Sequence, residues 1–194
     1  FKRITSQHIN EILLPAIDTK EEECALVIGK GLPAGPGAAT GQIVFNADRA
    51  EKLHKKGKKI VLVREETSPE DVHGMYASEA ILTSRGGMTS HAALVARGWG
   101  KCCIVGSNDI QINYKKKSFI ANNKVFYEND WITLNGSRGH IYDGSLKLVQ
   151  SKISTNVEYN GLMSLCKKFN PIKVRANADQ ATDALVAKKL GAKG

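Results

Sequence analysis

The chain has 194 residues, 42% of them hydrophobic and 24% charged, and 28 Lys and Arg against 19 Asp and Glu give a formal net charge of +9 at pH 7. This composition is typical of a globular protein, and no apolar stretch approaches the roughly 18–20 residues that a membrane span needs. The charge raises the alternative of a basic nucleic-acid-binding module. However, +5 of the +9 fall in residues 151–194, so we predict neither a nucleic-acid nor a membrane partner.

The first predicted element is an incoming helix and linker over residues 1–29, whose apolar rhythm is interrupted by Pro15. The chain starts at Phe1 without a signal-peptide pattern, so we expect it to be a segment of a longer protein. Residues 31–41 contain four glycines and two prolines, which excludes a regular helix and predicts tight turns. This segment is predicted to open a compact domain over residues 30–150.

Residues 42–105 alternate between short β-branched runs and stretches of helix-forming composition. The clearest helix start is at Ser68, because Pro69 follows it and the acids Glu70 and Asp71 fall in the first turn. The predicted strands are 42–45, 59–63, 80–83 and 103–105, and the predicted helices are 47–56, the one that begins at Ser68, and 90–97.

Beyond residue 105 the pattern changes to short strands separated by turns rich in Asn, Asp and Gly. These strands are predicted around residues 119, 125–127, 131–134, 140–142 and 146–149. Residues 151–171 are predicted to form a linker with an amphipathic helix, and residues 172–194 to form one strand and one helix. Because a lone βα unit cannot bury its own apolar face, we interpret the last segment as the start of a larger α/β domain.

The four cysteines, at positions 24, 102, 103 and 166, have no metal-ligand spacing. Adjacent Cys102 and Cys103 would point to opposite faces of a strand, which disfavours their joint binding of a metal ion. Without a secretory signal, we predict four reduced thiols with a structural role in a cytosol-like compartment, and no metal site.

The segment that carries the most chemistry runs from the end of a predicted strand through Gly86 and Gly87 to His91. Glycines allow another group to approach the backbone closely. His91 falls in the first turn of the next helix, where free N–H groups and the positive end of the dipole favour an anion. A neutral imidazole there is a nucleophile that could accept a phosphoryl group. The alternative is an ordinary strand-to-helix turn with a surface histidine.

Residues 86–97, GGMTSHAALVAR, resemble the phosphohistidine signature of the phosphoenolpyruvate (PEP)-utilising enzymes: two glycines, Thr, His, small and apolar residues, and Arg. Members include pyruvate phosphate dikinase, PEP synthase and enzyme I of the sugar phosphotransferase system. The continuation GWGKCC, the upstream runs LPAGPGAA and ETSPED, and the run VRANAD near the end are similar to the dikinase members. A PEP synthase or enzyme I-like carrier is the alternative within the family.

The resemblance implies an α/β fold: a swivelling β/β/α phosphohistidine domain over residues 30–150, with flanking linker helices and the first βα unit of a TIM-type barrel at residues 172–194. It implies that His91 carries a phosphoryl group on its tele nitrogen between two partner domains of the same polypeptide, a nucleotide-binding domain and a PEP/pyruvate barrel. The implied reaction converts ATP, phosphate and pyruvate to AMP, pyrophosphate and PEP. Mg²⁺ would be bound outside this chain, the intact enzyme would be a homodimer, and its location would be cytoplasmic unless a targeting peptide precedes Phe1.

Other residues receive roles from the same motif. Thr89 matches a position that a regulatory protein phosphorylates in plant dikinases; the alternative is a helix cap. Glu70 or Asp71 could orient the imidazole, or could simply suit a first helical turn. The candidate phosphate contacts are Arg85, Gly86, Gly87, Thr89 and Ser90. Arg97, about 240° around the helix from His91, is predicted to form an ion pair or a docking contact.

Overall fold

The computed structural model describes residues 13–149, 157–169, 173, 175–176, 181–189 and 192, and it divides into two compact units at residue 151. The first unit contains β1 (Ala16–Ile17), α1 (Thr19–Cys24), β2 (Val27–Lys30), β3 (Leu32–Gly35), β4 (Ala38–Val44), α2 (Ala47–His54), β5 (Ile60–Arg64), a 3₁₀ turn (Pro69–Asp71), α3 (Val72–Ala77), β6 (Ala80–Thr83), α4 (His91–Gly98), β7 (Cys102–Val105), β8 (Gln111–Asn113), β9 (Ser118–Ala121), β10 (Lys124–Tyr127), β11 (Trp131–Asn135), β12 (His140–Asp143) and β13 (Leu148–Val149). The second unit contains α5 (Val157–Phe169) and α6 (Ala181–Lys189).

Eight strands of the first unit form one mixed sheet, in the order β2-β12-β11-β4-β5-β6-β7-β3. Strands β4 to β7 are parallel and are connected by helices, whereas the outer strands pair in antiparallel fashion. The two edge strands, β2 and β3, are consecutive in the chain with only Gly31 between them. The sheet must therefore curl until its two edges come close together.

The large sheet is covered on both faces. In β5, Val61 and Val63 pack into a core cluster that includes Phe119 and Phe126 of the small antiparallel sheet β10-β9-β8. The intervening residues of β5 pack into the second cluster, which includes buried side chains of the helices α2, α3 and α4. This alternation is what a strand with period-two side chains produces when both faces are buried. The unit therefore has three layers: small sheet, large sheet and helices.

The structure confirms the alternating elements predicted between residues 42 and 105, and the strand predicted at 80–83 is observed as Ala80–Thr83. The prediction of tight turns over residues 31–41 was wrong for most of that segment, which forms β3 and the start of β4. The reason is close packing of backbones. A Cβ on Gly35 would lie 2.1 Å from the Lys101 carbonyl oxygen, and one on Gly41 would lie 2.8 Å from the Ile60 carbonyl carbon.

Part of the segment that was interpreted as a linker, residues 1–29, takes part in this fold. Strand β1 pairs with β13, so that Ala16 lies opposite Val149, and β2 forms one edge of the large sheet. The backbone N–H of Asp18 also donates to the Lys147 carbonyl, at 2.9 Å. The first and last strands described in the first unit thus lie side by side, in an entry–exit ribbon made of β1 and β13. The domain boundaries themselves stay predictions.

The cysteines are unpaired, as predicted. Cys102 and Cys103 are buried in different core clusters, on opposite faces of β7. Burial raises the pKa of each of these two thiols to about 12, so both stay protonated near neutral pH and are poor nucleophiles. Cys24 is exposed.

The second unit is described mainly by its two helices. The helix predicted within residues 151–171 is α5, and the helix predicted within residues 172–194 is α6. In the stretch 172–176, where the strand was predicted, residues 173, 175 and 176 are described and are not in a strand, and residues 172 and 174 lie outside the described residues. The TIM-type barrel stays a prediction. Across the part of the chain that the structure describes, no helix combines the length and the apolar character needed to cross a membrane.

Candidate active site

The loop between β6 and α4 is shaped by its neighbours before it reaches His91. The Thr83 hydroxyl donates to the Arg85 carbonyl at 2.7 Å, and the Arg85 N–H donates to the Glu65 carbonyl at 2.9 Å. Gly86 has φ of +101°, a conformation that strains residues with a side chain. A Cβ there would also lie 3.0 Å from the Ser90 Cβ. The first glycine of the pair is therefore required by the turn that leads into α4.

His91 is the first residue of α4, as the sequence predicts for its helix position. Ser90 is the N-cap, and its hydroxyl accepts from the Ala93 N–H at 3.4 Å. The other N–H groups at the start of the helix have no partner within it and lie at the positive end of its dipole. On the opposite side of α4, Ala92, Ala93 and Ala96 are buried against the sheet. The helix is thus anchored by small residues, while its N-terminus faces outward.

The imidazole is held from the side by Thr67. The Thr67 hydroxyl lies 3.2 Å from the Nδ1 of His91, and both side chains are partly buried. Thr67 reaches this place because β5 and β6 are adjacent parallel strands, so the loops at their carboxyl ends meet. If Nδ1 carries the proton and donates to the hydroxyl, the lone pair of Nε2 is free on the other side of the ring.

The loop that carries Thr67 is itself fixed at Ser68. The Asp71 carboxylate accepts from the Ser68 backbone N–H at 3.0 Å, forming a capping box. The same carboxylate lies 3.4 Å from the Arg64 guanidinium. Asp71 is buried and held by these two residues, and Glu70 is exposed. The orienting role predicted for Glu70 or Asp71 stays a prediction, and the contact to Nδ1 that the structure contains comes from Thr67.

Thr67 was missed as a candidate by the sequence analysis. It lies 24 residues before His91, and a threonine between Glu66 and Ser68 carries no distinctive signal of its own. The indication available was its place in the run ETSPED, directly before the predicted helix start. Only the pairing of β5 with β6 brings it to the imidazole.

A cavity of about 230 Å³ opens beside His91. It brings together three of the predicted phosphate contacts, Arg85, Gly86 and Ser90, with Thr67 and His91. Glu66 also lines the cavity, and its negative charge offsets the positive charge of Arg85. An anion in the cavity would therefore depend chiefly on the backbone N–H groups of the α4 N-terminus.

The remaining predicted residues lie at the rim. Thr89 is exposed, and no atom lies within 4 Å of a Cβ built on Gly87. The Arg97 guanidinium donates to the Met88 carbonyl at 2.6 Å, so it folds back onto the loop before its own helix. This contact was not predicted from the sequence. Arg97 was placed by its angle around the helix from His91, and the loop before α4 wraps to the side of the helix on which Arg97 lies.

The described residues contain no group of three or more His, Cys, Asp or Glu side chains placed to hold one metal ion. The donor set in this part of the chain therefore does not fit Mg²⁺, and no step is assigned to a metal here.

A family described as "PEP-utilising enzyme, mobile domain" matches residues 56–139, which include the β6–α4 loop and His91. Residues 56–139 are thus similar to the mobile domain of the PEP-utilising enzymes. The similarity to individual relatives extends over the whole chain. Three of them are "Pyruvate, phosphate dikinase, chloroplastic" of Flaveria pringlei, 48% identical over 193 residues; "Pyruvate, phosphate dikinase 2" of Oryza sativa subsp. japonica, 48% identical over 193 residues; and "Pyruvate, phosphate dikinase" of Clostridium symbiosum, 47% identical over 192 residues.

These alignments cover 99–100% of this chain but only 20–22% of each relative. The chain thus spans about a fifth of the length of the dikinases it matches. A solved structure titled "N-terminal domain of Enzyme 1 - Nitrogen" covers 70% of this chain and 99% of its own, with 11% identity and a TM-score of 0.38. That TM-score is too low to establish a common fold.

Removing the Thr67 hydroxyl is expected to change the tautomer of His91. Thr67→Val keeps the side-chain shape but withdraws the acceptor for an Nδ1 proton, so we expect a larger fraction of Nε2–H tautomer in ¹⁵N spectra of the ring. Phosphorylation at Nε2 should slow by about ten- to a hundredfold, the range seen when an orienting partner of a metal-binding histidine is removed. Thr67→Ser should restore both the tautomer and the rate. An unchanged tautomer in Thr67→Val would show that the hydroxyl does not orient the ring.

Proposed function

We propose that the chain is the phosphoryl-carrier segment of a pyruvate, phosphate dikinase, with the Nε2 of His91 as the atom that carries the group. The observation that supports this most directly is the placement of His91. It begins α4 at the edge of an open cavity, with Nδ1 against Thr67. One nitrogen is therefore engaged by the protein and the other is left for chemistry. The 46–48% identity to dikinases along the whole chain favours this member over a PEP synthase or enzyme I.

The proposed first step is a displacement at the β-phosphorus of ATP. The Nε2 lone pair forms the N–P bond as the bond to the AMP oxygen breaks, so a pyrophosphoryl group moves to His91. Inorganic phosphate then takes the terminal phosphoryl group and leaves as pyrophosphate. The remaining phosphoryl group passes from Nε2 to the enolate oxygen of pyruvate, which gives PEP and restores the neutral imidazole.

The chain's own residues would act on the charge that moves. A phosphoryl group on Nε2 brings negative charge to the N-terminus of α4, where the first-turn N–H groups and the Ser90 hydroxyl are close. Arg85 adds a positive side chain at the rim, and Gly86 and Gly87 leave the approach open on their side. A phosphate on exposed Thr89 would repel that group and block docking, so we propose Thr89 as the regulatory site.

The carrier role requires that His91 visit two sites. We propose that the unit of residues 30–150 swivels between a nucleotide-binding domain and a PEP/pyruvate barrel of the same polypeptide, and that residues 172–194 begin that barrel. The entry–exit ribbon supports this proposal, because the pairing of β1 with β13 brings the chain segments that flank the unit together at one place. Two further parts of the proposal rest on the family resemblance alone: the intact enzyme uses Mg²⁺, and it is a homodimer. Mg²⁺ would supply charge neutralisation on the nucleotide phosphates.

Labelling from different phosphoryl donors tests the dikinase assignment. The chain is mixed with a separately produced nucleotide-binding domain of a dikinase and β-³²P-labelled ATP, with and without inorganic phosphate. We expect acid-labile label on the chain in both cases. Delivery of that label to pyruvate as PEP, on adding the barrel domain, should require inorganic phosphate. Transfer to pyruvate that is independent of phosphate would indicate a PEP synthase, and label acquired from PEP with an enzyme I barrel domain but not with the dikinase barrel would indicate an enzyme I-like carrier.

A further inference from the structure

A larger cavity, of about 510 Å³, lies at the ends of β4 and β5 and shares no lining residue with the His91 cavity. Its walls come from the α2 N-terminus and from the turns after β8 and β10. Three of its side chains are cations, Arg49, Arg64 and Lys117, and one is a carboxylate, Glu128. The phosphoryl-carrier role proposed above uses none of them.

The charges of this cavity are incompletely balanced. Glu128 is nearly buried, with 8% of its side chain exposed, and it lies 2.8 Å from the Arg49 Nε and 3.9 Å from the Lys117 Nζ. Arg64 has Asp71 beside it at 3.4 Å. Three cations therefore face two carboxylates, one of which, Asp71, does not line the cavity. The two further lysines of the β8–β9 turn, at positions 115 and 116, are exposed and add positive charge nearby.

Arg64 has an N–H donor with no acceptor among the described residues. One of its terminal nitrogens donates to the Phe45 carbonyl at 3.2 Å, but its Nε is buried and has no hydrogen-bond partner among the described residues. A buried donor without an acceptor is unfavourable, and guanidinium groups match the oxygens of phosphate in number and direction. Arg64 also lines the cavity, and the terminal nitrogens of its guanidinium carry further N–H donors that an anionic oxygen there could bind.

The cavity also has an apolar side. The rings of Phe45 and Tyr114 meet edge to face with centroids 6.5 Å apart, and the Arg64 guanidinium lies 5.4 Å from the centre of the Tyr114 ring. The volume falls in the range of small-molecule sites and exceeds what inorganic phosphate alone would fill. We propose that this cavity binds a phosphate monoester of a small organic molecule, with the phosphate among Arg49, Arg64 and Lys117 and the organic part against Phe45 and Tyr114. The site is independent of the carrier function of His91.

Titration of the ¹⁵N-labelled chain with phenyl phosphate and with inorganic phosphate, at constant ionic strength, tests the proposal. We expect saturable amide shifts at Asn46, Arg49 and Lys117 with phenyl phosphate, and affinity at least about threefold weaker for inorganic phosphate. Running the titration in a His91→Ala background removes any contribution from the imidazole. Equal affinity for the two probes would overturn the assignment of a monoester, and the absence of saturable shifts would overturn the site.

Two substitutions that should change the affinity for phenyl phosphate in opposite directions distinguish recognition of charge from a general disturbance of the fold. Lys117 has φ of +48°, which asparagine tolerates better than most residues, so Lys117→Asn should stay folded and weaken phenyl phosphate binding about three- to tenfold. Glu128→Gln removes the carboxylate and should strengthen binding. Lys124→Gln is the matched control, because Lys124 lies in the same small sheet but contacts Asp143 outside the cavity. Affinity changes in the same direction in Lys117→Asn and Glu128→Gln would contradict the proposal. An affinity change as large in Lys124→Gln would contradict it as well.

Discussion

His91→Ala is expected to abolish acid-labile phosphoryl labelling of the chain, to below about a hundredth of the wild-type level, because it removes the proposed nucleophile. The fold should survive, since alanine suits the first turn of a helix and the Ser90 cap contacts the Ala93 N–H instead of the imidazole. The measurement is ³²P incorporation from labelled ATP in the presence of a dikinase nucleotide-binding domain, with acid and base stability of the product to identify phosphohistidine.

His73→Gln is the matched control for this experiment. His73 is an exposed histidine on α3 whose Nε2 lies 2.9 Å from an Asp48 carboxylate oxygen, so its loss should leave labelling unchanged. Thermal unfolding of both variants checks that the comparison is between folded proteins. Label that persists in His91→Ala at the wild-type level would place the phosphoryl group on another residue and remove the central assignment.

Gly74→Ala is expected to have the largest effect on stability. Gly74 lies in α3 where this helix crosses α2, and a Cβ there would lie 2.4 Å from the Ala47 Cα and 2.5 Å from the Ala47 Cβ. Alanine would gain about 1 kcal/mol of helix propensity, but neither backbone can yield without moving a whole helix off the sheet. Overpacking of this kind outweighs the gain, and we expect a net loss of about 2–4 kcal/mol in the free energy of unfolding.

Gly98→Ala provides the contrast with Gly74→Ala. Gly98 ends α4, and no atom lies within 4 Å of a Cβ built on it. Reduced freedom of the unfolded chain should stabilise this variant by about 0.4–1 kcal/mol. Denaturant unfolding of both variants, fitted with the same dependence of the free energy of unfolding on denaturant concentration, measures the difference in stability. A Gly74→Ala variant as stable as Gly98→Ala would show that α2 and α3 do not pack at the distance described.

The elements that local pattern predicts well are those buried on both faces. Strand β6 is three apolar residues followed by a buried Thr83, and the Ser68–Pro69 start of the 3₁₀ turn is encoded by neighbouring residues, so both were predictable. The edge strand β3 was not, because its glycine and proline content is typical of turns and its pairing with β7 is a long-range contact. Glycine there is needed for the approach of another backbone, which no window of sequence reports.

The same division holds for the site. His91 stands in a signature that can be recognised in the chain, and its helix position follows from Gly86 and the Ser90 cap. The Thr67 contact depends on the parallel register of β5 and β6, in which Arg64 lies opposite Thr83. The cavity around Arg64 likewise joins residues from β5, α2 and two distant turns. Contacts of this kind arise from topology and have no local signal.

The entry–exit ribbon has a mechanical consequence. Because Ala16 and Val149 lie opposite each other and Ile17 packs with Ala38 and Tyr142, a force on the ribbon reaches the large sheet at β4 and β12. Strand β6, which leads to His91, lies two strands beyond β4 in that sheet. If the unit swivels as proposed, the distance between Thr67 and the imidazole can stay the same at each orientation, so that His91 would present the same nucleophile to both partner domains.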